Sequence, residues 1–158
     1  MFYLYKLVGD VRTLLAQVRQ ATACAVNTAM VTTYWMIGRR IVEEEQNGKD
    51  KATYGQQILQ KLSAALESEF GNGFSYSNLK NMRQFYKTYA NDEIGYTLCS
   101  QLDWSHNRLI MRVADSDARY YYLKEAAAEG WSVRMLERNI ESHWCRCWAT
   151  TSSGSGWC

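Results

Sequence analysis

Proline is absent from all 158 residues, where average usage near 5% would place roughly eight. Proline removes a backbone donor and clashes with the preceding helical turn, so its absence suits a chain made mostly of helices. Charge of one sign is scarce as well. The 18 Lys+Arg and 16 Asp+Glu leave a net +2, so no global field marks a nucleic-acid binder and any basic surface must be local. Long apolar runs are missing. Stretches such as Tyr34-Trp35-Met36-Ile37 are far too short for a bilayer, and Lys6, Asp10 and Arg12 interrupt the apolar start Met1–Tyr5 too early for a signal core. No membrane partner is expected, and the cytoplasm is the default location.

A disulfide framework is lacking too. The five cysteines, Cys24, Cys99, Cys145, Cys147 and Cys158, are odd in number and irregular in spacing, which reads as reduced thiols. There is no P-loop, dinucleotide glycine fingerprint, nucleophile elbow or zinc-protease helix motif. His143-Trp144-Cys145-Arg146-Cys147 suggests zinc only superficially, because one residue separates the cysteines and no second ligand pair stands at a suitable spacing. Neither a metal nor a cofactor is expected.

What remains is ordinary globular composition, 47% hydrophobic and 22% charged, in a length that one domain with a proper core can use. From Asp10 to about Glu45 the apolar residues repeat at helical spacing in two offset stripes. One runs Val11, Leu14, Leu15, Val18, then Thr22 and Ala25; the other runs Val26, Met30, Tyr34, Ile37, Ile41. Such a helix would be roughly 54 Å long. Either it kinks near Cys24–Thr28, or its N-terminal half projects and pairs with another chain. A second helix is predicted over Tyr54–Phe70, with Ile58, Leu59, Leu62, Leu66 and Phe70 on one face and Gly71 as its C-cap. Ser75 caps a third helix to Tyr89, and Phe74 with Leu79 forms a hydrophobic staple. Ser105 is predicted to cap a short helix through Val113, Asp115 one that reaches Glu129 and closes at Gly130, and Ser132 a last one with Val133, Leu136 and Ile140. The fold class is all-α: a helical bundle with a long N-terminal helix and a helix-turn-helix-like pair. The domain is read as residues 10–141. In 142–158 the period is lost while Trp, Cys, Ser and Gly crowd together, which reads as a truncated or frame-shifted tail.

The pair of helices around Gly71–Phe74 is the leading candidate for chemistry. The outer face of the second carries Tyr76, Asn78, Lys80, Asn81, Arg83, Gln84 and Lys87, and no Asp or Glu occurs between Phe70 and Asn91. Lys and Arg suit phosphates or guanine edges, and Asn and Gln can pair with adenine. A glycine turn with a polar outer face is also what any helical hairpin shows, so a solvated surface stays open. Arg108 and Arg112, in the acid-free stretch Trp104–Ala114, extend the candidate strip as phosphate contacts. His106 has the chemistry of a general base but no evident carboxylate or nucleophile partner, and a capped helix start is the simpler account. Tyr120-Tyr121-Tyr122 could stack bases, although three consecutive helical residues put one or two in a core. Arg39 and Arg40 have the following glutamates as ready partners.

Several segments together are similar to one family: Ala25-Val26-Asn27-Thr28, Tyr34-Trp35-Met36-Ile37-Gly38-Arg39-Arg40-Ile41, Tyr54-Gly55, Glu69–Ser75, Asn78–Tyr86, Leu102–His106 and Glu129–Arg134 with Leu136-Glu137. Over roughly Val11–Ile140 they resemble, in order, the N-terminal domain of bacterial, cytoplasmic YhcG-like proteins. The resemblance implies a DNA-associated helical domain that precedes, and positions, a nuclease domain of the PD-(D/E)XK type. Such a nuclease needs an (Asp/Glu)-X-Lys set to hold a metal and activate water, and no lysine here has Asp or Glu two residues before it. The expectation is a non-catalytic, DNA-binding domain. Its alternative is an interaction module that dimerises through the first helix or docks a nuclease or restriction-type partner.

Overall fold

The computed structural model describes residues 2–47, 51–91, 99 and 101–142. Among the described residues six α-helices and one 3-10 turn are delimited, in order: α1 (Phe2–Asn47), α2 (Lys51–Phe70), the turn Asn72–Phe74, α3 (Tyr76–Tyr89), α4 (Trp104–Ile110), α5 (Ser116–Glu129) and α6 (Val133–Glu141). No strand occurs among the described residues, so the fold is all-α, as the periodicity indicates.

Helix α1 runs unbroken for 46 residues, roughly 69 Å at 1.5 Å per residue. It begins at Phe2 rather than Asp10, because nothing between them breaks a helix strongly enough to stop it. From Tyr3 to Met30 its side chains are exposed, apart from half-buried Asn27, and burial begins at Val31. Of the two sequence alternatives, the projecting N-terminal half is the one observed.

The C-terminal half of α1 lies against α3, α2 packs on both, and α4 bridges α1 and α3 to the α5–α6 pair. Buried Gly38 is the close-approach point. A Cβ there would collide with the Met82 carbonyl oxygen of α3 and stand 3.0 Å from the Tyr86 Cβ. One core cluster joins Ile41, Leu59, Leu79 and Met82, with half-buried Phe74 against it, so the staple residues Phe74 and Leu79 share a cluster. The larger cluster includes Val31, Phe85, Ile110, Tyr122, Leu123 and Leu136. Trp104 packs against both. Its ring centroid lies 4.8 Å from Tyr34 and 5.4 Å from Phe85.

Most of the caps agree with the sequence. The side chains of Ser75, Asp115 and Ser132 accept from the backbone N–H of Asn78, Ala118 and Met135. Gly71 and Gly130 have φ of 81° and 61°, where a Cβ would clash. The α4 start differs: Asp103, not Ser105, is its N-cap, and the helix ends at Ile110 rather than Val113. A carboxylate satisfies a free helix-end donor at least as well as a serine hydroxyl, and taking it two residues earlier moves the helix forward. Phe70, expected on the buried face of α2, is 61% exposed and rests its ring 5.8 Å from that of Phe74. Tyr122 is buried, Tyr121 half-buried and Tyr120 exposed. The tail from 143 onward, with its superficial zinc motif, lies outside the described residues.

Candidate nucleic-acid interface

Ser75 and the 3-10 turn set the direction of α3, and its buried residues Leu79, Met82, Phe85 and Tyr89 fix its rotation. At helical spacing that leaves Tyr76, Lys80, Gln84 and Lys87 on one exposed strip, with Asn81 half-buried at its border. Four of the expected contact residues are therefore brought together.

Two others are committed to the fold. Asn78 donates through Nδ2 to the Gly73 carbonyl at 2.5 Å and accepts from Trp104 Nε1 at 2.9 Å, which ties the turn to α4. Arg83 meets Glu45 of α1 at 2.7 Å, with side-chain exposures of 24% and 11%. Lys87 Nζ lies 3.7 Å from the same carboxylate but is about half exposed, so it can still reach solvent. Sequence spacing could not reveal Glu45, which sits 38 positions earlier. Arg108 is exposed on the turn of α4 after Trp104, and Arg112 is exposed just past the end of that helix. Arg39 and Arg40 pair with Glu43 at 2.7 and 2.8 Å, the blander of their two readings.

His106 has the carboxylate that the sequence reading missed. Its Nδ1 is 2.7 Å from Asp103 Oδ1, and its Nε2 donates to the Trp131 carbonyl at 2.7 Å. An i, i+3 Asp–His pair at a helix start was the available signal. The ring is buried and both nitrogens are engaged, so it joins the start of α4 to the α5–α6 corner.

Burial alone would raise the Asp103 carboxyl, but the His106 backbone N–H, the His106 ring and the Ser105 N–H outweigh it and hold that carboxyl below its ordinary range. A carboxylate depressed in the fold stabilises above its unfolded value, near 3.9, and loses that contribution as pH falls through the folded value. Asp103→Asn is expected to lower stability at neutral pH and to flatten the melting temperature against pH below about 4. Since the carboxyl side chain is 51% exposed, solvent screening keeps the effect small. Thermal melts of both proteins from neutral to acid pH measure it.

No group of three or more His, Cys, Asp or Glu residues placed to hold a metal occurs among the described residues. No helix among them is long and apolar enough to cross a membrane.

The family model for the DUF1016 N-terminal domain matches residues 10–146. The chain is 36% identical over 156 residues to the Escherichia coli (strain K12) protein called "Putative nuclease YhcG", a match that covers 80% of this chain and 42% of that protein. This chain thus spans less than half the length of the relative. No solved structure matches it.

Proposed function

This chain belongs to the DUF1016 N-terminal domain family, and on that premise we propose that it is a DNA-contacting, helix-turn-helix-like domain that positions a nuclease without itself cutting. The observation that carries this reading is the exposed face of α3, a helix with no Asp or Glu of its own, where Tyr76, Lys80, Gln84 and Lys87 stand together and, among the described residues, only Lys87 lies near a carboxylate, Glu45 of α1. Asn81 borders it, and Arg108 and Arg112, exposed on and just after α4, are further proposed phosphate contacts. The relative's name contributes the nuclease association. The non-catalytic part of the reading rests on the missing (Asp/Glu)-X-Lys set. The cytoplasm is its proposed location.

The test is fluorescence anisotropy of a labelled mixed-sequence duplex between about 50 and 200 mM salt, the range in which phosphate contacts are felt most. Binding should weaken steeply with salt. Lys80→Ala with Lys87→Ala should lower the slope of log K against log salt by about 2, since each neutralised phosphate contributes close to one, with little change in melting temperature. Arg83→Ala serves as the contrasting variant. It strips Glu45 of its closest partner, so it should lower the melting temperature before any binding is considered. No affinity at either salt concentration, or a slope unchanged in the Lys80/Lys87 variant, would remove DNA contact from this face.

A further inference from the structure

The projecting half of α1 carries apolar side chains that nothing among the described residues covers. Leu4, Leu7, Leu14 and Val18 are 65%, 59%, 61% and 64% exposed. With Val11 they recur at alternating intervals of three and four residues, which is the seam of a coiled coil. Leu4, Val11 and Val18 occupy its a positions, and Leu7 and Leu14 its d positions. Val8 and Leu15 widen the stripe on the e side.

At 100° per residue this stripe is centred about 170° round the helix from the face that Val31, Gly38 and Ile41 press into the core. The helical body of the same chain therefore packs on the far side of α1. From this we infer that the occupant is a second copy of the chain, with the two α1 N-terminal halves pairing in parallel along Leu4–Val18.

Three observations select a second copy. Valine at two of the three a positions and leucine at both d positions is the pattern that favours two parallel strands. The charges stay off the seam: Lys6, Arg12 and Arg19 fall at c and b, while Asp10, at g, faces Leu15 of the partner helix, so like charges do not meet. The area is also sufficient. Seven side chains at roughly 100 Å² each offer about 700 Å² per helix, close to the roughly 800 Å² per partner of a standard interface. The pairing is independent of whatever the α3 face binds.

Sedimentation equilibrium of the full chain at about 1–100 μM tests the inference, with circular dichroism and melting of the body as the folding control. The wild type should be a concentration-dependent dimer. A chain carrying Leu7→Glu and Leu14→Glu should dissociate at least about 100-fold more readily, because each buried unpaired charge is costly, while its body stays folded, since both sites lie in solvent within one chain. Gln20→Glu, on the polar side, should leave the dimer intact. Mixing the Glu variant with Leu7→Lys/Leu14→Lys should restore it. A monomeric wild type, a dimer that survives the Glu substitutions, or a mixture that stays monomeric would each overturn the inference.

Discussion

Gly38→Ala is expected to be the most damaging glycine-to-alanine change among the described residues. In an exposed helix interior the same change stabilises by about 1 kcal/mol, because alanine loses less backbone freedom on folding. Here the new Cβ would collide with the Met82 carbonyl oxygen and lie 2.8 Å from the carbonyl carbon. Those are backbone atoms of a packed helix, which cannot swing aside as a long side chain could. Relief requires α1 and α3 to separate, and both core clusters draw residues from both helices. Overpacking of this kind costs roughly 1–3 kcal/mol and sometimes more; the unyielding neighbour argues for the upper end. In a domain of this size that is about 5–10 °C of melting temperature. Gly9→Ala is the matched control, on the same helix with nothing within 4 Å, and it should leave the melting temperature unchanged or raise it. Calorimetry or circular dichroism melts of the two variants measure the difference. Equal melting temperatures would show that the α1–α3 contact is looser than described.

The second large effect is expected at Asn107, which is fully buried. Its Nδ2 donates to the Cys99, Leu102 and Asp103 carbonyls at 2.9, 3.3 and 3.1 Å. The Leu102 carbonyl also accepts from Asn27 of α1 at 3.0 Å. Together these bonds hold the segment before α4 against α1, and with it the position from which Arg108 and Arg112 project. Asn107→Leu keeps the bulk but removes these donors, and each bond lost costs about 0.5–1.5 kcal/mol net. Each carbonyl keeps a second donor: the Asn107 backbone N–H at Asp103, Asn27 at Leu102 and the Leu102 backbone N–H at Cys99, so the loss is that of the Nδ2 bonds themselves. A destabilisation of about 1–3 kcal/mol is expected, read from the urea midpoint. Amide exchange should show early opening at α4 while α2 and α3 remain protected. An unchanged midpoint would mean that these bonds are replaced as easily as they are lost.

These two positions show where sequence reading reaches its limit. Gly38 is visible as the single glycine between Asp10 and Glu45, yet spacing could not say which neighbour required its missing side chain. Asn107 reads as an ordinary polar residue on a short helix, and its burial follows only from where the Cys99, Leu102 and Asp103 carbonyls meet it. The α3 face shows the same division. Its acid-free composition was legible, but Arg83 and Lys80 look alike in sequence. They separate only once α1 brings Glu45 beside one of them.

The sequence by itself determined the all-α class, most of the helix caps, the staple at Phe74 and Leu79, the family resemblance and the offset between the two apolar stripes of α1. Apart from the resemblance, which is spread over segments from Ala25 to Glu137, these are local signals, carried by residues within a few turns of each other, where periodicity and capping chemistry act. Only the tertiary structure decided that α1 runs straight out of the body, that Gly38 lies against Met82, that Asp103 and Trp131 hold His106, and that Arg83 and Asn78 serve the fold. Each of these depends on which distant segment arrives at a given side chain. That is set by how the buried faces of whole helices fit together, and no window of neighbouring residues contains that information.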